Sequence, residues 1–239
     1  MRRFGWVAAD AAVAAIALIV AVVVVGAASL TVAGAQPRYQ PTAKGHGLLP
    51  VIIIGDSYTT GTDEGGWGDS NWTVLMRQRL ADWGVQIDPT VAAEGRAGYA
   101  VKGDHGSVFE DLLARAATPA AALVVFFGSL NDRDVDPEVL TVRARAALAR
   151  AHRLAPSARL LVIGPPWPNP EVPGSLLRNR DGLRAVAQTA HAVFVDPISE
   201  RWLADEPDLI GSDAVHPNDA GHRYLADKIA PLIRDRVMS

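Results

Sequence analysis

The sequence contains no cysteine, and its charges are nearly balanced. Without cysteine there is no disulfide framework, no cysteine-ligated metal and no thiol nucleophile. A net charge of −3 over 239 residues gives no basic surface of the kind that nucleic-acid-binding proteins use. The chain also lacks a group of metal ligands at a plausible spacing, so we predict no metal, no cofactor and no nucleic-acid partner.

The first 35 residues have the composition of a membrane segment. Arg2 and Arg3 precede an uncharged run at 11–35 that is rich in Ala, Val, Ile and Leu, and about 18 apolar residues suffice to cross a bilayer as a helix. The length of the run favours an uncleaved signal anchor, whereas the small residues at 33–35 favour a cleavable signal peptide. Both interpretations place the rest of the chain outside the cytoplasm, either tethered to the membrane or secreted.

The remaining sequence reads as a linker followed by one domain. Residues 36–49 contain scattered prolines, glycines and polar residues, which is typical of a linker. In the domain at 50–239, strands alternate with helices, and the last helix is predicted to start near Pro217, a residue that suits a first helical position. This alternation predicts a mostly parallel five-stranded sheet with helices on both faces, a three-layer α/β/α fold. The predicted strands are 51–54, 85–92, 122–127, 159–163 and 192–195, and the helices are 70–83, 107–117, 137–154, 176–190 and 217–237.

The stretch VIIIGDSYTTG at 51–61 is the most informative part of the domain. Its branched apolar run predicts a buried strand, which ends at Gly55 and Asp56 and is followed by Ser57. Open α/β sheets place ligands and chemistry at the carboxyl ends of their strands, so Ser57 is a candidate nucleophile. The alternative is that Ser57 only caps the next helix.

A serine hydroxyl is a weak nucleophile that needs an adjacent base. Among the six histidines, His216 lies just before the last helix and follows Asp213 by three residues. In a turn, that spacing can bring the carboxylate to the imidazole ring and fix its tautomer. The alternative is that Asp213 merely caps the turn. The other histidines are His46, His105, His152, His191 and His222.

Candidate donors for an oxyanion hole follow the next two strands. Backbone N–H groups of glycine and the side-chain amide of asparagine can be aimed at a developing negative charge. Gly98 follows the second strand and Asn131 follows the third, so both fall at the same sheet edge as Ser57. Turn chemistry alone could also explain each of them.

These motifs, taken together and in this order, resemble the four blocks of the SGNH hydrolases, also called GDSL esterases/lipases. No Gly-x-Ser-x-Gly elbow follows a strand, which disfavours the α/β-hydrolase fold. The second block departs from the family, because Ala93 stands where the family often has asparagine; this leaves Gly95 as an alternative to Gly98. The motifs that carry the resemblance are Gly55-Asp56-Ser57…Gly61, Gly98, Gly128-x-x-Asn131-Asp132 and Asp213-x-x-His216.

The resemblance implies a flavodoxin-like SGNH fold and a role for each matching residue. Ser57 would be the nucleophile, His216 the general base and then acid, and Asp213 the group that orients His216. Gly98, Asn131 and the Ser57 N–H would form the oxyanion hole. The implied activity is hydrolysis of acyl or acetyl carboxylic esters by an exported or membrane-tethered serine hydrolase. A cell-envelope acyltransferase with the same triad and a non-catalytic envelope-binding module are the alternatives.

Loops at the carboxyl edge of the sheet are expected to form the rim of the site. Aromatic side chains there could line an acyl-chain groove or stack on a sugar ring, or they could equally fill space under long loops. We expect a small-molecule or envelope ester with a short to medium acyl group, because the domain is held outside the cell. The predicted rim residues are Asp56, Tyr58, Trp67, Tyr99 and Trp167.

Overall fold

The computed structural model describes residues 47–239. The predicted membrane segment at 11–35 and most of the predicted linker at 36–49 lie outside these described residues. Among residues 47–239, no helix combines the length and the apolarity needed to cross a bilayer.

Five parallel strands form a single sheet in the order β2-β1-β3-β4-β5. The central strands consist largely of branched and aromatic apolar residues, which suit a sheet that is covered on both faces. The carboxyl ends of β1, β2 and β3 meet at one edge, so the three loops that carry the sequence motifs leave the sheet side by side. The strands are β1 (Leu49–Gly55), β2 (Ile87–Ala93), β3 (Leu123–Phe127), β4 (Arg159–Ile163) and β5 (Val193–Val195).

Helices cover both faces of this sheet. Ile52 and Ile54 of β1 pack into a core with α3, α4 and α5, whereas the alternate residues Val51 and Ile53 pack into a second core with α2 and α6. The three-layer α/β/α fold predicted from the strand–helix alternation is therefore confirmed. The helices are α1 (Ser57–Thr60), α2 (Trp72–Asp82), α3 (Phe109–Ala116), α4 (Pro137–Leu154), α5 (Gly174–Thr189) and α6 (Asp219–Met238), with 3₁₀ turns at Gly68–Ser70, Leu130–Asp132 and Pro207–Leu209.

The start of the last helix differs from the prediction. α6 begins at Asp219, and Pro217 lies before the helix, where it forms an isolated antiparallel bridge with Ile210. The side chain of Asn218 accepts hydrogen bonds from the N–H groups of Ala220 and Gly221, so asparagine caps the helix. The prediction of Pro217 as a first helical residue was wrong because the cap residue follows it.

Candidate active site

Ser57 is the first residue of α1 and is separated from the carboxyl end of β1 by Asp56 alone. It is not the cap of this helix, because the side chain of Asp56 accepts the N–H of Tyr58 at 2.9 Å. Asp56 is buried, and this burial raises its pKa to about 6 against the opposing effect of hydrogen bonds from Ser129 and Tyr58. Asp56 was predicted to line the rim of the site, and this was wrong, because its side chain is turned inward to cap α1.

His216 and Asp213 lie on the loop that precedes α6, and they face Ser57. The Oγ atom of Ser57 is 2.9 Å from Nε2 of His216, and Nδ1 of His216 is 2.5 Å from Oδ2 of Asp213. The other oxygen of Asp213 accepts the N–H groups of Val215 and His216. Asp213 therefore supports the turn and contacts the imidazole ring at the same time.

The surroundings of Asp213 favour its ionised form. Partial burial opposes ionisation, but hydrogen bonds from the His216 ring and from the backbone of His216 and Val215 hold the pKa of Asp213 below its usual value. An ionised Asp213 accepts the Nδ1–H of His216, which leaves Nε2 as the acceptor for the hydroxyl of Ser57. This geometry allows the histidine to take a proton from the serine.

Asn131 lies beside the loop that follows β2. Its side-chain amide donates to the carbonyl of Ala97 and to Oγ of Ser129, both at 2.9 Å. The N–H of Gly98 donates to the carbonyl of Val101 at 2.9 Å. The predicted oxyanion donors Gly98 and Asn131 are thus neighbours, but both make internal hydrogen bonds in this structure.

Gly95, the alternative glycine, lies elsewhere on the same loop. Its carbonyl accepts the N–H of Asp104 at 3.0 Å, and a β-carbon on Gly95 would meet the Asp104 carboxylate. Gly98 instead packs against Asp132 of the third block. The contacts of the two glycines therefore associate Gly98, rather than Gly95, with the segment that carries Asn131.

Two further predicted rim residues are buried. Tyr58 is 2% exposed and Tyr99 is 1% exposed, and the Tyr99 ring packs against Phe109 and Phe126. The prediction that they form the rim was wrong, because both rings turn back from the sheet edge into the helix–sheet cores. Trp67 is 47% exposed.

Trp167 follows β4, and its ring N–H donates to the carbonyl of Glu171 at 2.7 Å. This tryptophan is half-buried. The roles of Trp67 and Trp167 at a substrate rim stay predictions.

Sequence reasoning missed the contact of Glu64 with the loop that carries Asp213, and the burial of His222. Glu64 accepts hydrogen bonds from the backbone and the hydroxyl of Ser212, just before Asp213. His222 of α6 is buried, and its Nδ1 lies 3.4 Å from the N–H of Trp72. Glu64 lies 148 residues from its partner, so no local pattern could reveal it. Within residues 47–239, no group of three or more His, Asp or Glu side chains is placed to hold a metal ion.

Comparisons with known proteins agree with this fold. Residues 53–224 match the model of the GDSL-like lipase/acylhydrolase family. A GDSL lipase of Mycobacterium tuberculosis is 60% identical over 203 residues, which cover 84% of this chain and 88% of the relative. The crystal structure of TesA superposes with a TM-score of 0.62 at 22% identity, covering 78% of this chain and 99% of TesA. The psychrotrophic esterase EstA of a Pseudoalteromonas species superposes with a TM-score of 0.63 at 15% identity, covering 80% of this chain and 99% of EstA.

The parallel α/β/α fold, the family match and the curated lipase relative define the class as a carboxylester hydrolase with an SGNH fold. The family match extends over most of the described domain and includes Ser57 and His216. The chain belongs to the GDSL-like lipase/acylhydrolase family.

Proposed function

We propose that this protein hydrolyses carboxylic esters through Ser57 as nucleophile, His216 as general base and Asp213 as the residue that orients His216. The observation that carries the proposal is the pair of contacts from Ser57 to His216, at 2.9 Å, and from His216 to Asp213, at 2.5 Å. The first contact is short enough for direct proton transfer from Ser57 to His216, and the second orients the imidazole ring.

In the proposed reaction, Oγ of Ser57 attacks the carbonyl carbon of the ester while its proton passes to Nε2 of His216. The tetrahedral intermediate collapses when His216 returns that proton to the leaving alcohol, which leaves an acyl group on Ser57. Water then attacks the acyl-serine while His216 takes a proton from it, and the second tetrahedral intermediate collapses when His216 returns this proton to Oγ of Ser57, which releases the carboxylic acid and restores the free serine. Asp213 stabilises the imidazolium that forms in each half of the reaction.

The negative charge on the intermediate needs donors close to Ser57. The backbone N–H of Ser57 is the first of α1 and precedes the N–H of Tyr58, which the Asp56 side chain accepts; the first N–H of a helix has no carbonyl partner in a preceding turn. We propose that this N–H and the side chain of Asn131 bind the oxyanion. Gly98 would provide a third donor if its N–H released the carbonyl of Val101 and bound the oxyanion instead.

Asn131→Ala is expected to lower turnover by about 10²–10³-fold, because it removes one donor of the oxyanion hole.

The proposed location and substrate follow from the N-terminal sequence. Residues 1–35 would act as a signal anchor or signal peptide, and 36–49 as a linker, so the domain at 50–239 would work outside the cytoplasm. We propose a short to medium acyl ester of an envelope molecule as the substrate. A series of esters from acetyl to long-chain acyl tests this, and activity that rises steadily with chain length and is absent on acetyl esters would contradict it.

Labelling of the full-length protein with a fluorophosphonate, followed by mapping of the modified peptide, tests the proposed chemistry. We expect one adduct, on Ser57. The adduct should be absent in Ser57→Ala and His216→Ala, and each of these variants should turn over esters about 10⁴-fold more slowly than wild type. Ser199→Ala removes an exposed hydroxyl after β5 and is the matched control. Folded protein without an adduct on Ser57 would contradict the proposal. Transfer of the acyl group to a sugar or lipid acceptor, rather than to water, would reassign the same residues to acyl transfer.

A further inference from the structure

One hydrogen bond connects the residue after Ser57 with the residue before His216. The hydroxyl of Tyr58 donates to the backbone carbonyl of Val215 at 2.5 Å. The ring of Tyr58 also packs against the imidazole of His216, with the ring centres 5.9 Å apart and the planes inclined at 49°. Tyr58 therefore touches both the side chain of His216 and the backbone that carries it.

The segment at 211–216, here called the base loop, is an exposed part of the surface. Ser212, Asp213 and Ala214 are exposed, and Val215 is 41% exposed. Exposed loops with few packed side chains open easily unless other contacts hold them. Hydrogen bonds to the Asp213 carboxylate stabilise the turn itself, and the position of this turn relative to Ser57 depends on contacts that come from outside the base loop.

Tyr58 is suited to hold the base loop because its own position is well determined. Its ring is buried and packs edge-on against Phe127 of β3, at a centroid distance of 6.2 Å. Burial raises the pKa of Tyr58 far above its usual value, so the hydroxyl keeps its proton and remains a donor. A buried hydroxyl that loses its acceptor costs free energy, which favours the contact with Val215.

Glu64 makes a second contact with the base loop, on the side of Ser212. Its carboxylate accepts the N–H of Ser212 at 2.6 Å and the Ser212 hydroxyl at 2.8 Å. It also packs so closely against Gly211 that a β-carbon there would lie 2.3 Å from a carboxylate oxygen. Glu64 and Tyr58 thus both reach the base loop from the chain segment that follows β1.

We infer that Tyr58 is a positioning residue, which sets the place of His216 relative to Ser57 through the carbonyl of Val215, and that Glu64 supports the same loop. This inference rests on the proposed function, because it assigns the two residues to the alignment of the proposed nucleophile and base. Neither residue is assigned a contact with the substrate. Their effect should therefore be on turnover rather than on substrate binding.

The chain offers a matched pair of tyrosines for the test. Tyr99 is as deeply buried as Tyr58, but its hydroxyl has no hydrogen-bond partner among the described residues. Tyr58→Phe and Tyr99→Phe each remove one buried hydroxyl and keep the ring. We expect Tyr58→Phe to lower kcat about 10–100-fold, since a displacement near 1 Å can cost about 100-fold, with KM within about twofold of wild type. Tyr99→Phe should leave both constants unchanged.

Two further measurements on the full chain separate positioning from a general loss of structure. The rate of fluorophosphonate labelling should fall with kcat in Tyr58→Phe, because labelling needs the Ser57–His216 pair and no natural substrate. Amide hydrogen exchange at Val215 and His216 should accelerate in Tyr58→Phe and not in Tyr99→Phe. All assays are run well below the melting temperature of each variant.

Glu64→Gln gives a second test of the same idea. It should lower kcat, and its effect combined with Tyr58→Phe should be smaller than the product of the two single effects, because both act on one loop. Glu110→Gln, which alters an ion pair with Arg150 between α3 and α4, is the control. The inference would be overturned if Tyr58→Phe were labelled at the wild-type rate with an unchanged kcat, or if Tyr58→Phe and Tyr99→Phe lost kcat equally. Either result would leave the proposed function standing. Unlabelled wild-type protein would overturn the proposed function and the inference with it.

Discussion

The carboxylate of Asp132 lies directly against Gly98, where a β-carbon would come within 2.5 Å of both carboxylate oxygens. The same carboxylate accepts the backbone N–H groups of Tyr99, Ala100 and Val101 at 2.7–3.0 Å. The second and third sequence motifs are therefore parts of one structure. Asp132 holds the loop after β2 in place, and its neighbour Asn131 bonds the same loop.

Gly98→Ala is expected to disturb both stability and activity. The added methyl group would overlap with Asp132, and a crowded core position of this kind typically costs about 1–3 kcal/mol of the free energy of unfolding. Displacement of Asp132 would also shift Asn131, so kcat should fall by more than the loss of folded protein explains. Urea unfolding and ester kinetics measure the two effects.

Gly174→Ala is the control for this prediction. Gly174 begins α5, and its added β-carbon would meet only the end of the Arg178 side chain, at an ordinary 3.5 Å. Its stability and kinetics should match those of wild type. If Gly98→Ala behaves like Gly174→Ala, the close packing of Asp132 on Gly98 does not matter in solution.

Asp213→Asn is expected to lower kcat by about 10⁴-fold with little effect on folding, as removal of the carboxylate that orients a catalytic histidine does in serine hydrolases. An asparagine amide placed at Nδ1 would favour the tautomer whose Nε2 carries the proton, and that nitrogen could no longer accept one from Ser57. Ester kinetics across pH 6–9, together with the melting temperature, provide the measurement. Asp205→Asn, which alters an exposed ion pair with Arg201, should be neutral, and an Asp213→Asn enzyme of similar activity would exclude the proposed role.

The fold could be predicted because its signals are local and repeated. The run at Val51–Ile54 indicates a strand, and its alternate residues do pack into the two cores on opposite faces of the sheet. Asp213 and His216 lie three residues apart, so one turn can bring them together. The contact between Ser57 and His216 spans 159 residues, and it was expected only from the edge rule for parallel sheets and from the family resemblance.

The remaining features depend on where side chains point, which the sequence does not state. Tyr58 and Tyr99 follow the ends of strands, where an aromatic ring can face either the solvent or the core. Their rings fill the two cores on opposite faces of the sheet. Glu64 and Ser212 form a hydrogen bond between two loops. Loops lack the regular spacing of apolar residues that marks helices and strands, so no pattern in the sequence indicates this contact.

His222 provides a prediction about stability rather than catalysis. Its ring is buried beside Gly66 and Trp72. Burial lowers its pKa from 6.5 to about 4, with Asp219 favouring the charged form and His216 opposing it. As the pH falls from 6.5 to 4, the unfolded chain binds a proton that the folded chain does not bind. The contribution of His222 to the free energy of unfolding should therefore fall in this range, by at most about 1.4 kcal/mol per pH unit, and level off below it.

Asp56 works in the opposite direction over nearly the same range. Its pKa is raised from 3.8 to about 6, so the stability that it contributes is fully present below pH 3.8 and is lost as the pH rises through 6. In the wild-type protein the contributions of Asp56 and His222 partly cancel. Replacing one of these residues should reveal the pH dependence that the other gives to the free energy of unfolding.

His222→Asn removes the titrating ring and keeps an oxygen that can accept the N–H of Trp72. We expect its free energy of unfolding, measured in urea from pH 4.5 to 7.5, to rise relative to that of wild type as the pH falls below about 6, because the contribution of Asp56 is then no longer offset by that of His222. Ser199→Ala, which removes an exposed hydroxyl and changes no titratable group, should keep the wild-type slope. A wild-type slope in His222→Asn would mean that His222 is protonated in the folded protein as readily as in the unfolded chain, and its burial would then have no effect on its charge.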